Sequence, residues 1–97
     1  MSRRIMLKFR LYVAGDALNS AQAIANLTAL CRAQLPGRHE IEVVDVFKDP
    51  QRALADGIFM TPTLVKLAPP PPVRRIVGTL SRTQTVLPAL GLEGVAA

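Results

Sequence analysis

The side chains that most often carry catalysis are scarce in this sequence. Cys31 is its single cysteine and His39 its single histidine. Disulfide exchange needs two thiols, and a zinc site or a catalytic triad needs several partners, so neither residue supports such chemistry alone. Cys31 lies at helical spacing between Leu27 and Leu35, which predicts a buried structural thiol. His39 follows a turn, which predicts a solvated loop residue.

Asp45 and Asp49 are the only carboxylates whose placement suggests an acid–base pair. Asp49 directly precedes Pro50, and this order is typical of a helix cap followed by proline at the first helical position. Asp45 then fits a polar residue at a strand end. Gly15 and Gly78 are isolated, so no phosphate-cradling loop is present. We therefore predict no catalytic site, no metal site and no cofactor.

Composition favours a folded domain. Hydrophobic residues make up 49% of the 97 residues and charged residues 20%, close to the globular average. We expect one domain over residues 1–97, with 92–97 frayed. No apolar run approaches the ~20 residues that span a bilayer, so no membrane partner is expected. The lone cysteine agrees with a reducing compartment, and we expect a cytoplasmic protein.

The net charge of +5 would favour acidic partners, yet the basic residues are spread along the chain. Nucleic-acid binding usually combines clustered basic residues with stacking aromatic side chains. Phe9, Phe47 and Phe59 fall in apolar periods and are predicted to be core, with Tyr12 as the exception. We therefore do not expect a nucleic-acid partner.

Hydrophobic periodicity predicts seven elements in the order βαβαββα. They are a strand over 5–14, a helix from Asn19 or Ser20 to Leu35, a strand over 41–47, a helix from Pro50 toward Gly57, strands over 61–67 and 73–77, and a last helix opened by a capping box at Ser81–Gln84. In the first strand, the side chains of Leu7, Phe9, Leu11 and Val13 share one face. Pro88 should make the last helix short or kinked, because it removes a hydrogen bond.

This order is α/β and thioredoxin-like, with Thr61-Pro62 at the position where that fold has a cis proline. The segment Gly15–Ser20 at the start of the first helix holds no sulfur, so redox catalysis is excluded. The second strand should lie at a sheet edge, where Glu42, Val46 and Lys48 could meet a partner. The alternative is an edge that Glu42 and Asp45 protect from pairing.

Several segments together resemble the KaiB family of the cyanobacterial circadian clock and its relatives in other bacteria. The similarity covers residues ~7 to 92. It rests on Leu11–Gly15 with Asn19-Ser20, Val44–Val46 with Lys48 and Pro50-Gln51, Thr61–Leu64, and the proline run with Val73–Gly78.

The resemblance implies a non-enzymatic protein that binds the N-terminal ATPase ring of a KaiC-type hexamer and modulates its phosphorylation and ATPase cycle. KaiA or a histidine kinase would then be affected indirectly. On this basis we predict partner-binding residues at Glu42, Val46, Lys48, Gly57 and Ile58. Clock members carry lysine where Glu42 and Gly57 stand, so two positive contacts are lost here. The alternative is a thiol-free sensory or adaptor domain like that of the SasA kinase; because the chain ends without a kinase, we expect a free-standing protein.

The resemblance also implies metamorphic folding. The alternative is a ground-state fold, βαββααβ, in a tetramer. We predict that Pro62, Pro70, Pro71, Pro72, Pro88, Ala89 and Gly91 determine which fold is adopted. Clock members have glycine where Ala89 stands, and alanine favours helix by ~0.8–1 kcal/mol, while Pro88 acts against it. For self-association as a dimer or tetramer we predict contacts from Tyr12, Arg74 and Arg75, although a solvated arginine pair is the default.

Overall fold

The computed structural model describes residues 6–68 and 74–90. Its seven elements confirm the predicted order. They are β1 (Leu7–Val13), α1 (Leu18–Gln34), β2 (His39–Asp45), α2 (Pro50–Ala55), β3 (Thr63–Ala68), β4 (Arg74–Val77) and α3 (Thr83–Ala89). β2 begins and ends two residues earlier than the periodicity predicted, although the amide of Val46 still donates to the carbonyl of Val13 at 2.8 Å.

The four strands form one mixed sheet in the order β2-β1-β3-β4. β2 runs parallel to β1, and β3 runs antiparallel to both β1 and β4. The predicted edge position of β2 is confirmed. Because of these directions, the last residues of β1, β2 and β4 lie at the same end of the sheet as Thr63, the first residue of β3.

One face of the sheet packs against α1 and α3 around the predicted alternate residues of β1. Leu7, Phe9, Leu11 and Val13 are buried there, together with Ala23, Leu27, Leu30, Cys31, Leu35, Leu64, Leu80, Val86 and Leu90. The predicted buried thiol of Cys31 is therefore confirmed. In α1 the side chain of Ala23 is fully buried against the sheet, whereas its neighbour Ile24 is 36% exposed.

The other face is covered by α2 and holds a smaller core of Tyr12, Val44, Ala53 and Val65. The expectation that Tyr12 stands apart from the core was wrong, since its side chain is fully buried. The expectation that Phe47 and Phe59 are core was also wrong, because they are 74% and 92% exposed. Both follow or precede strands in loops, where alternation no longer decides which way a side chain points.

The helix starts differ from the predicted caps. α1 follows Ala17 without a side-chain cap, and the hydroxyl of Ser20 instead accepts a hydrogen bond from the amide of Ala14 at 3.0 Å. Pro50 opens α2 as predicted, yet Asp49 makes no capping hydrogen bond. The capping box predicted from Ser81 is absent, since α3 begins at Thr83 and follows Arg82.

The cis bond predicted at Pro62 and the short helix predicted from Pro88 are confirmed, whereas the role of Pro62, Pro88 and Ala89 in determining the fold stays a prediction. Thr61-Pro62 is cis, and the carbonyl of Pro62 accepts a hydrogen bond from the amide of Gly78 at 2.9 Å. Pro88 lies in the last turn of a seven-residue helix, which confirms that this helix is short. Ala89 ends that helix. The predictions on Pro70, Pro71, Pro72, Gly91 and the frayed residues 92–97 lie outside the described residues.

His39 is not the solvated loop residue that the sequence predicted. It is half-buried at the start of β2, and its ring nitrogen Nδ1 lies 2.7 Å from the carbonyl oxygen of Leu35. The turn after α1 brings the ring back onto the helix end, a contact that the sequence spacing alone does not reveal.

Candidate functional site

One end of the sheet carries large apolar side chains that are exposed. Leu18 at the start of α1 is 72% exposed, Phe47 after β2 is 74% exposed, and Phe59 and Met60 before β3 are 92% and 62% exposed. The strand directions place all three loops at this end. Large apolar side chains exposed at one end of a protein are typical of a protein interaction site. We call these four residues the apolar end.

The sequence patterns did not predict this surface, because both phenylalanines were predicted to be core. Leu18 and Met60 were not singled out. A usable signal was present, however: Phe47 precedes Lys48-Asp49-Pro50, and Phe59 and Met60 stand between Gly57 and Pro62, so turn-forming residues flank all three.

The edge strand β2 adjoins the apolar end. Beside it runs an open groove of about 450 Å³, whose lining includes Val43, Lys48 and Arg52. Val43 is exposed on β2, and Lys48 is exposed directly after Phe47. A strand with a single neighbour leaves backbone groups free to pair with another chain.

The residues predicted to bind a partner occupy different environments. Lys48 is exposed beside the apolar end, whereas Val46 and Ile58 are half-buried and pack against the smaller core. Gly57 has a φ of +66° and ends the turn after α2, a conformation in which side chains other than glycine are strained. The structure therefore gathers these residues around α2, but only part of the set is open to solvent. Their role in binding stays a prediction.

Glu42 belongs to an ion-pair cluster between the sheet and α2. Its Oε1 accepts hydrogen bonds from Arg10 Nε and Arg52 Nη2, both at 2.8 Å. These two guanidinium groups hold the pKa of Glu42 below its usual value, and Glu42 in turn raises the pKa of Arg10. The carboxylate is thus engaged within the chain, which agrees with the protected-edge alternative for this residue.

A second carboxylate, at the C-terminal end of α2, extends the cluster. Asp56 lies 3.0 Å from Arg10 Nη1 and accepts a hydrogen bond from the hydroxyl of Tyr12. The bond from Tyr12, reinforced by Arg10, lowers the pKa of Asp56. Burial, and then the bond to Asp56, raises the pKa of Tyr12. The ion-pair cluster therefore consists of Tyr12, Arg10, Asp56, Glu42 and Arg52.

The residues predicted for assembly also separate. Arg74 and Arg75 are exposed on the edge strand β4, where Arg75 Nη1 donates to the carbonyl of Gly57 at 3.3 Å. Tyr12 is buried, so in this conformation it offers no surface for a subunit contact. The assembly role of these three residues stays a prediction.

The described residues offer no arrangement suited to catalysis. Burial raises the pKa of Cys31 to about 11, which leaves the thiol protonated and unreactive at neutral pH. No group of three or more histidine, cysteine or carboxylate side chains that could hold a metal ion occurs within residues 6–68 and 74–90. Across the same ranges, no helix is long and apolar enough to cross a membrane.

Comparison with known proteins finds a matching family model and similar sequences. A family model described as the KaiB domain matches residues 10–92. The circadian clock protein KaiB3 of Synechocystis sp. is 46% identical over 90 residues, which cover 93% of this chain and 83% of that protein. The circadian clock oscillator protein KaiB of Prochlorococcus marinus is 46% identical over 92 residues, covering 95% and 76% of the two chains.

Solved structures agree with the fold. The N-terminal domain of SasA from Synechococcus elongatus has a TM-score of 0.72 at 20% identity, covering 96% of this chain and 90% of that domain. Chloroplastic thioredoxin z has a TM-score of 0.75 at 16% identity, covering 96% and 97%. At these identities the likeness concerns the fold alone, and the fold is thioredoxin-like.

Proposed function

Because the chain belongs to the KaiB family, we propose that it is a non-enzymatic regulatory protein that binds the N-terminal ATPase ring of a KaiC-type hexamer. Binding modulates the phosphorylation and ATPase cycle of the hexamer and changes which other proteins can join it. KaiA or a histidine kinase is then affected indirectly.

The observation that carries this proposal is the apolar end beside the exposed edge of β2. Phe59 is 92% exposed and Phe47 is 74% exposed. Their rings bury little surface within the chain, so they contribute little to the free energy of folding. Such residues are suited to bury their rings against another protein, and buried aromatic anchors dominate many interfaces. Lys48 lies next to Phe47 and adds a positive charge at the rim, where charges guide association.

Binding is tested by titrating the protein against the KaiC-type hexamer of its own organism in a calorimeter. Phe59→Ser should weaken binding at least about thirtyfold, because truncating a central aromatic anchor typically costs about 2 kcal/mol or more. The matched control is Met6→Ser, an exposed apolar residue at the opposite end of the sheet, which should leave the affinity unchanged. An unaltered affinity for Phe59→Ser would place the contact elsewhere.

Charge is tested separately at Lys48. Lys48→Glu should slow association and make it less sensitive to salt, because a rim charge acts mainly on the association rate. Surface plasmon resonance at two ionic strengths reports this change. Equal association rates for the variant and the parent protein would show that Lys48 does not contribute to the interface.

A further inference from the structure

Asp45 connects the loop that precedes Leu18 with the loop that carries Phe47. It ends β2 and is half-buried. Its Oδ1 accepts a hydrogen bond from the amide of Gly15 at 3.2 Å and a second from the amide of Phe47 at 2.9 Å. Gly15 belongs to the loop between β1 and α1, whereas Phe47 belongs to the loop between β2 and α2, so a single carboxylate oxygen bonds to both.

The backbone of Asp45 organises the same loop. Its carbonyl accepts hydrogen bonds from the amides of Lys48 at 3.1 Å and Asp49 at 2.9 Å. The turn that presents Phe47 and Lys48 is therefore bonded to Asp45 at both the side chain and the main chain. We call the contacts of Asp45 with Gly15 and Phe47 the loop junction.

The ring of Phe47 leans against this junction from the solvent side. Gly15 has a φ of +54°, and a Cβ built on it would lie 3.4 Å from a carbon of the Phe47 ring. Since the ring remains 74% exposed, hydrophobic burial does little to hold it. The hydrogen bonds of Asp45 are the polar contacts that fix the position of the Phe47 backbone.

From this geometry we infer that Asp45 is a positioning residue of the apolar end, which holds Leu18 and Phe47 in the arrangement that a protein partner meets. The inference rests on the proposed function and adds the residue that positions the binding surface. Holding loops in the binding conformation before the encounter reduces the entropy lost on association. A loop freed from Asp45 must be ordered again by the partner, which weakens the complex without removing any contact residue.

The test compares Asp45→Ala with Asp45→Asn in hydrogen exchange and in binding to the KaiC-type hexamer. Alanine removes the acceptor of both amides, so exchange at Gly15 and Phe47 should accelerate by about tenfold or more. Affinity for the hexamer should fall by about tenfold. Asparagine keeps an oxygen at the same position and should restore affinity to within about threefold of the parent protein.

His39→Ala is the control for a general loss of stability. It removes a hydrogen bond of 2.7 Å to Leu35 at the opposite end of the sheet, and it should leave both amides and the affinity unchanged. Because the asparagine variant and this control separate positioning from stability, a global change in folding cannot imitate the expected pattern.

The inference is overturned if Asp45→Ala binds as tightly as the parent protein, or if exchange at Gly15 and Phe47 stays unchanged. It is equally overturned if asparagine fails to restore affinity while exchange at both amides recovers. If the parent protein itself does not bind the hexamer, the proposed function is refuted and the inference falls with it. Hydrogen exchange distinguishes this outcome from failure of the inference alone, because it reports on the loop junction without a partner.

Discussion

Tyr12 shows how one side chain joins the two halves of the structure. Its ring belongs to the smaller core, while its hydroxyl donates to Asp56 and lies 3.3 Å from the carbonyl oxygen of Arg52. A buried hydroxyl needs such partners, because an unpaired one costs free energy. α2 buries only Ala53, so these polar contacts contribute a large part of its attachment to the sheet.

Replacing Tyr12 by phenylalanine tests this attachment while keeping the ring. Asp56 then loses the bond that most lowers its pKa, and the free energy of unfolding should fall by about 1–2 kcal/mol at pH 7. A carboxyl whose pKa is lowered by folding stabilises the protein above its unfolded value of 3.8. That stabilisation is lost as the pH drops further.

Urea unfolding at pH 7 and at pH 3 measures both effects. The difference between Tyr12→Phe and the parent protein should shrink at pH 3, because the unfolded carboxyl, with its pKa of 3.8, is then largely protonated and the lowered pKa of native Asp56 stabilises the fold less. A difference that stays constant with pH would show that the hydroxyl acts independently of Asp56.

Cys31 gives a second prediction at this scale. Because burial raises its pKa to about 11, the native thiol should react very slowly with Ellman's reagent at pH 8, where little thiolate is present. Unfolding in guanidinium should restore rapid reaction. Fast labelling of the native protein would contradict the buried placement of the thiol.

At the scale of elements, β2 continues past its last ladder residue through the bond between Val46 and Val13. This bond keeps the chain beside β1 up to the loop that carries Phe47. The end of the edge strand and the position of the apolar end are therefore coupled.

Val46→Pro removes this donor, and proline also fixes the local φ. We expect a loss of at least about 1 kcal/mol in the free energy of unfolding and weaker binding to the hexamer. Val46→Ala is the matched control, since it keeps the amide but shortens the side chain. Thermal unfolding and calorimetry measure the two quantities, and equal behaviour of the proline and alanine variants would show that the bond contributes nothing.

The last helix holds its proline near its C-terminal end. Pro88 lies one residue before the end of α3, so the hydrogen bond that it removes belongs to the last turn. Its side chain is exposed. The opposing tendencies of Pro88 and Ala89 thus act on the same final turn.

For the whole molecule, the structure has the thioredoxin-like order and not the alternative βαββααβ. The site where that fold carries redox thiols holds Gly15–Leu18 instead. Interconversion with the second fold and assembly into dimers or tetramers stay predictions.

The purified protein should therefore not reduce insulin disulfides, because no second thiol is available to resolve a mixed disulfide with Cys31. Turbidity of insulin in the presence of dithiothreitol follows the reaction. Turnover above the buffer blank that disappears in Cys31→Ser would contradict this prediction.

The order of elements and the inward face of β1 were determined by the sequence itself, because alternation and helical spacing are local properties. The edge position of β2 followed from the thioredoxin-like order, in which a short helix rather than a hairpin follows the second strand. The cis proline and the family resemblance also came from short motifs. These features need no knowledge of distant contacts.

Only the tertiary structure decided which side chains outside regular elements face solvent. Arg10 and Asp56 form a hydrogen bond although they are separated by 46 positions in the sequence. Rules based on residue spacing do not predict a contact over such a distance. The loops of Phe47 and Phe59 follow no period, so their exposure depends on how β2 and β3 are placed in the sheet. Asp45 reached Gly15 across 30 positions. Contacts between loops of different strands arise from strand order and direction, and the apolar end is therefore a property of the folded molecule.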